Sequence, residues 1–388
     1  MKIGIDARWI FRETSGIGVY TRELIRHLAQ IDRKNEYVIF FRDRDLMAAV
    51  QEETGIAQSA NFKTMLVDYG IFSPRNQLFM PRLIKAQDLD VFHSTNYMIP
   101  FLAFPRDFSG KTACVTTIHD LIPLMFPDAA PRSRKKRLFP LFRGLMRETA
   151  LRSRLIITVS ESSRHDIIGH LPCPAERVIA IPEGVHSRFR PKEADFSPEE
   201  HSGQKTEKIL WVGRQDPYKN LLGLMEAFAL LRKKYGGGLE LRLAGPADPR
   251  YPEPALRAQE LGIADSVKWL GHIADASLVT EYRNADMFVM PSLYEGFGLP
   301  ALEAFACGTP VICGDRASLP EICGEAALLV NPENAAELCD AMLRVLTDKK
   351  LAADLARRGL KQAAKYTWNE TARLTILAYE KAMITQLN

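Results

Sequence analysis

Ala285-Asp286-Met287-Phe288-Val289-Met290-Pro291, followed four residues later by Glu295-Gly296-Phe297-Gly298-Leu299-Pro300-Ala301-Leu302-Glu303-Ala304, reads as a buried strand, a glycine-rich turn and the start of a helix. The apolar run is short and bounded by turn residues, as a strand covered on both faces requires. Pro300 suits the first turn of a helix, where its missing N–H costs nothing. Backbone N–H groups from Gly296, Phe297, Gly298 and Leu299 can then face an anion or a cluster of hydroxyls, with the helix dipole favouring negative charge. Glu295 and Glu303 add two carboxylates that accept hydrogen bonds from hydroxyls.

Outward from this unit, β-rich runs alternate with helical patterns. In the first half they are Lys2 to Ala7, Tyr37 to Phe41, Lys63 to Val67, Asp90 to His93, Ala113 to Ile118, Leu155 to Val159 and Val178 to Ile181. In the second half they are Ile209 to Val212, Leu239 to Ala244, Val267 to Leu270, Met287 to Met290 and Pro310 to Cys313. Such alternation predicts α/β architecture with parallel sheets and crossover helices. At 388 residues the chain exceeds what one core serves, so two doubly wound domains are expected, 1–186 and 208–366, joined by a polar linker over 187–207. A last helix is expected from Thr367, whose hydroxyl can cap while Glu370 reaches back three residues later.

A formal charge of +4 is too small to argue for nucleic acid. Asp6 interrupts the amino terminus too early for a secretory apolar core, and no run approaches the roughly 20 apolar residues of a spanning helix, so a cytoplasmic protein is expected. Cys114, Cys173, Cys307, Cys313, Cys323 and Cys339 lack paired spacing, and reduced core thiols are expected, with no disulfide and no structural metal.

The stretch EGFGLPALEAFACGTPVI closely resembles the E-x7-E motif of retaining GT-B glycosyltransferases of family 4. Trp211-Val212-Gly213-Arg214 with Lys219-Asn220 is similar to that family's diphosphate-binding Arg and Lys. Ser15-Gly16-Ile17-Gly18-Val19-Tyr20 and Ile118-His119-Asp120-Leu121 are similar to its amino-terminal glycine loop and its central His. The resemblance covers nearly the whole chain. It implies a GT-B fold of two Rossmann-like domains facing a crevice, with the terminal helix (367–388) packing back on the first domain.

The resemblance also implies roles. Arg214 and Lys219 would neutralise the diphosphate leaving group, taking the place of a metal. Glu303 would bind the ribose. Glu295 with the amides of Gly296, Phe297, Gly298 and Leu299 would hold the transferred sugar and distal phosphate, Gly16 and Gly18 would admit the donor phosphate and acceptor, and His119 would contact the hexose. Each residue has a plainer reading: Glu295 as a helix cap, Arg214 and Lys219 as surface cations, His119 as a structural histidine. The carboxylate pair could also serve a hydrolase, but Glu303 inside a helix suits binding better. Thr21 stands where G-x-G-x-x-G requires a third glycine, which argues against hydride transfer. Glu295 and Lys219 are both expected at exposed loop positions, so that replacing either costs transfer and spares the fold.

Arg132, Arg134, Lys135, Lys136, Arg137, Arg143, Arg147, Arg152 and Arg154 crowd 132–154 around Leu138, Phe139, Leu141, Phe142, Leu145 and Met146. This reads as a basic amphipathic helix on an anionic membrane surface, or as a crossover helix with a solvated face interrupted by Pro140. Likeness of SGIGVYTRELIRHL, TTIHDLIPL and VSESSRHDI to bacterial mannosyltransferases of cell-surface polysaccharide assembly implies transfer of mannose from GDP-mannose to a glycan or lipid-linked saccharide, with no cofactor or metal, by an enzyme peripheral to the inner face of the cytoplasmic membrane. A UDP-hexose donor, a nucleotide-sugar epimerase and a catalytically silent nucleotide-sugar-binding subunit are the alternatives.

Overall fold

The computed structural model describes residues 1–13, 15–126, 139–192, 206–236 and 238–384. These form two compact units: one takes the described residues within 1–121, 137–184 and 367–388, the other those within 122–136 and 185–366.

The first unit is built on strands β1 (Lys2–Asp6), β2 (Glu36–Phe41), β3 (Phe62–Leu66), β4 (Val91–Ser94), β5 (Ala113–Thr117), β6 (Leu155–Thr158) and β7 (Val178–Ala180). All pair in parallel, in the order β3-β2-β1-β4-β5-β6-β7. Chain direction reverses its walk across the sheet at β1, so the loops after β1 and β4 diverge at the sheet's carboxyl edge, where such sheets bind ligands. The helix Gly16–Ile31 is capped by Ser15, whose Oγ accepts from Gly18 N, and it buries Leu24, Ile25 and Leu28 against the sheet.

The last helix, Trp368–Ile384, completes this core with Trp368, Ala372, Ala378 and Tyr379. Thr367 Oγ1 accepts from Glu370 N at 3.3 Å, but the Glu370 carboxylate pairs with Arg373 at 2.6 and 2.7 Å instead of reaching back. Tyr379 also closes a buried polar chain. Its hydroxyl meets His93 Nδ1 at 2.8 Å, His93 Nε2 meets Thr117 Oγ1 at 2.8 Å, and Thr117 meets the Tyr20 hydroxyl at 3.1 Å. Burial pushes the His93 imidazole down to about 3. The ring is therefore neutral, one nitrogen donating and the other accepting, which suits hydroxyl partners on both sides.

The second unit carries β8 (Glu207–Val212), β9 (Leu239–Ala244), β10 (Val267–Gly271), β11 (Met287–Met290), β12 (Val311–Gly314) and β13 (Ala327–Val330), parallel in the order β10-β9-β8-β11-β12-β13. Its core gathers Trp211, Phe228, Leu241, Val289 and Ile312. β13 is a strand that the sequence pattern does not announce.

The basic segment departs from expectation. Arg132, Arg134, Lys135, Lys136 and Arg137 lie outside the described residues. In the helix Phe139–Arg152, Pro140 falls in the first described turn and interrupts nothing. Arg152 donates to the carbonyls of Phe101 and Phe104, and Arg154, buried, to those of Phe108 and Gly110. Those two cations are spent inside the unit, and of the described ones only Arg143 and Arg147 are exposed. All six cysteines are buried free thiols. No helix among the described residues is long and apolar enough to cross a membrane.

Candidate active site

β8 ends in a loop that carries Arg214 and Lys219, and β11 in the loop that carries Glu295. The two loops are tied by a backbone bond from Leu293 N to Tyr218 O at 2.7 Å. Lys219 Nζ donates to both oxygens of Glu295 at 2.7 and 2.8 Å, and Ser292 Oγ donates to Oε1 at 2.6 Å. The side chains are only 13% and 8% exposed. Contrary to the expected exposed loop positions, Lys219 and Glu295 form a largely buried, charge-assisted pair. Ser318 Oγ fixes the Glu295 loop from behind, donating to the carbonyls of Glu295 and Phe297. Arg214 reaches outward, 60% exposed, with Nε 3.3 Å from the buried carboxylate of Asp216. Burial pushes the Asp216 carboxyl up, against the opposing charges of Arg214 and Lys219.

Glu295 does not cap the following helix, Leu299–Ala306. That place belongs to Gly298 at φ +112, with no side-chain cap. A side chain there would be strained, and its Cβ would stand 3.0 Å from Leu319 Cδ2. Glu303 sits one turn in, half-buried, and accepts from the Tyr282 hydroxyl at 2.9 Å. Burial pushes its carboxyl up from 4.5 to about 7. Between those values the unfolded chain gives up a proton that the folded chain keeps, so stability falls as pH rises through the window and levels off above it. Glu303→Gln should flatten this part of the pH profile of Tm. Parallel calorimetric profiles for wild type and variant would refute the assignment.

In the first unit His119 follows β5. Nε2 donates to the Thr95 carbonyl at 3.1 Å, which requires its proton there, and Nδ1 faces Glu183 Oε1 at 3.4 Å. The ring stands edge-on to Tyr20 at 4.8 Å. Glu183 is buried and follows β7, so two loops from the same sheet edge converge. The next residue, Gly184, lies against the last helix, where an added Cβ would be 2.1 Å from Trp368 N. Gly18 is buried, and its N–H is taken by Ser15 Oγ at 3.1 Å. Gly16 is exposed, with open space where a Cβ would be.

The structure thus brings Lys219, Glu295 and the Gly298–Leu299 turn together, with Arg214 on the same loop as Lys219, and gives His119 a partner. Sequence reasoning missed Glu183, Tyr282, Ser292 and Ser318. A carboxylate directly after a strand, as in Ile181-Pro182-Glu183-Gly184, is the one signal that could have exposed any of them. Among the described residues no group of three or more His, Cys, Asp or Glu is arranged to hold a metal ion.

Comparison with known proteins bears on the family and the fold. Residues 14–189 match the Glycosyltransferase Family 4 model, and residues 192–362 match Glycosyl transferases group 1. The chain is 28% identical to the O-antigen chain mannosyltransferase B of Escherichia coli, over 98% of this chain and 100% of that one. It is 31% identical to the serotype-specific mannosyltransferase WbdA of Escherichia coli over 75% of its own length, but spans only 36% of that longer protein. The sucrose-phosphate synthase of Thermosynechococcus elongatus shares the fold with a TM-score of 0.74 at 23% identity, over 98% of both chains. With a family 4 first half, a group 1 second half and two parallel α/β sheets, the chain belongs to the family 4 glycosyltransferases of GT-B architecture.

Proposed function

We propose that this glycosyltransferase moves mannose from GDP-mannose to a mannose-containing glycan or lipid-linked saccharide, with retention at the anomeric carbon and without a metal. The observation that carries the reading is the Lys219–Glu295 pair, with Arg214 on the same loop as Lys219, ahead of a helix end without a side-chain cap: two cations and a helix N-terminus in a place suited to a sugar diphosphate. The names of two of its relatives, both mannosyltransferases of Escherichia coli, support the sugar.

In this reading the C1–O bond to the diphosphate breaks with its electron pair going to the phosphate oxygen. Arg214 and Lys219 stabilise the charge that develops there. The acceptor oxygen bonds C1 on the same face, and its proton passes to the departing phosphate, giving a mannoside and GDP. Glu295 accepts from the hexose hydroxyls while holding Lys219 in place, Glu303 accepts from the ribose, and His119, its Nε2–H held by the Thr95 carbonyl and its Nδ1 beside Glu183, contacts the hexose.

Thermal shifts with GDP-mannose, UDP-glucose, UDP-galactose, GDP and UDP test the donor, since a ligand that binds only the folded state raises Tm. A guanosine-selective shift is expected. A uridine-selective shift would overturn the donor, and no shift at all would favour a silent subunit. EDTA should leave the rate of transfer unchanged.

A further inference from the structure

We propose, on the reading that the acceptor is a mannose-containing saccharide, that a cleft of about 520 Å³ in the first unit is a second saccharide site, holding pyranose residues of the acceptor chain behind the one that receives the new sugar. Its walls are the segments that follow β1, β2 and β3, and they include Phe11, Arg42, Asp68, Tyr69, Phe72 and Arg75.

Phe11 and Phe72 leave 45% and 56% of their surface to water. Trp9, itself buried, meets both rings edge-on at 86°, with centroids 6.4 and 5.7 Å away. Two exposed rings pinned by a third are flat, rigid apolar surfaces of the kind that the C–H face of a pyranose covers. Around them stand groups suited to hydroxyls. Arg75 is held by Asp68 at 3.0 Å and lies over the Tyr69 ring at 5.6 Å. Arg42 makes no hydrogen bond or ion pair among the described residues, and lies against Gly70, where an added Cβ would stand 3.3 Å from its Nη1. An unspent guanidinium beside an exposed carboxylate supplies both donors and an acceptor, which a neutral sugar uses and a lipid tail does not. The volume is in the range of small-molecule sites, roughly 300–1,000 Å³.

Position in the sheet sets which part of a glycan could lie here. In the order β3-β2-β1-β4-β5 the cleft stands two to four strands from β5, which His119 follows. At about 4.8 Å per strand that is roughly 10–19 Å along one sheet edge. A single sugar does not span it, so an occupant joined to the reacting residue must be a chain, and longer acceptors should be used better than short ones.

The test uses the full-length protein, α-linked mannotetraose and methyl α-mannoside, with Phe72→Ala and Arg42→Ala. Both side chains are exposed, and an unchanged Tm confirms that each variant folds. Calorimetry without donor should show tetraose binding to wild type and about tenfold weaker binding to each variant. Transfer to tetraose should fall by the same factor relative to transfer to methyl mannoside. Tetraose binding that is absent in wild type, or equal in wild type and variants, would overturn the site. If no acceptor is mannosylated yet tetraose binding still depends on Phe72 and Arg42, the proposed activity fails and the site stands. If transfer proceeds with no preference for length in wild type or variants, the activity stands and the site fails.

Discussion

Lys219→Ala should lower kcat/KM for sugar transfer by about 10³-fold, the effect of removing a preorganised group that stabilises developing charge, measured with saturating acceptor and limiting donor. The same substitution should also lower stability, which the sequence does not suggest. Glu295 would keep its charge in a largely closed place with Ser292 as its remaining side-chain partner, and breaking a buried pair by removing one member costs about 3–5 kcal/mol. The double variant Lys219→Ala/Glu295→Gln separates the two losses. Gln carries no charge to strand, so Tm should recover toward wild type while transfer stays lost. Recovery of activity along with Tm would mean that the pair is a structural tie and the cation is not used on the diphosphate.

Gly184→Ala should unfold the first unit at a temperature lower by roughly 6–12 °C, the equivalent of about 3 kcal/mol in a unit of this size. The added methyl carbon meets backbone atoms, 2.1 Å from Trp368 N and 2.5 Å from the Thr367 carbonyl carbon, so no side-chain rotation can relieve it. Either the last helix moves off or the Pro182-Glu183-Gly184 turn shifts. The second outcome displaces Glu183 from His119, so transfer should fall at temperatures where the variant is still folded. Gly169→Ala, in the helix Glu161–His170 with nothing within 4 Å of the new carbon, is the control and should leave Tm within about 1 °C. An unchanged Tm in Gly184→Ala would show that the turn and the helix are not packed as described.

Much of the architecture is legible because parallel strands declare themselves as short apolar runs: Met287–Met290 and Leu239–Ala244 have the bounds that the pattern predicts. β13 escapes because Ala327–Val330 follows an alanine-containing stretch with helical character and is only four residues long. The loop around Glu295 is legible as a strand, turn and helix start, since Gly and Pro mark it locally. Its pairing with Lys219 is not, because the partners lie 76 residues apart and meet only once two loops are tied through Leu293 and Tyr218. The cap at Gly18 is less legible: Ser15 three residues earlier claims its N–H, a local bond that a Gly-x-Gly reading does not suggest. Arg152 and Arg154 counted as surface charge in a linear reading, whereas folding sets them beneath carbonyls that need donors.

The last helix bears on how the chain is made. The amino-terminal sheet draws Trp368, Ala372, Ala378 and Tyr379 into its core, yet these residues leave the ribosome only after the whole of 185–366 has been synthesised. At about 5–20 residues per second this delay is roughly 10–40 s. For that time His93 lacks its Tyr379 partner and one face of the sheet stays open to water, while the second unit has every residue it needs. The half made first is therefore finished last, and nascent chains should depend on holding factors through that interval.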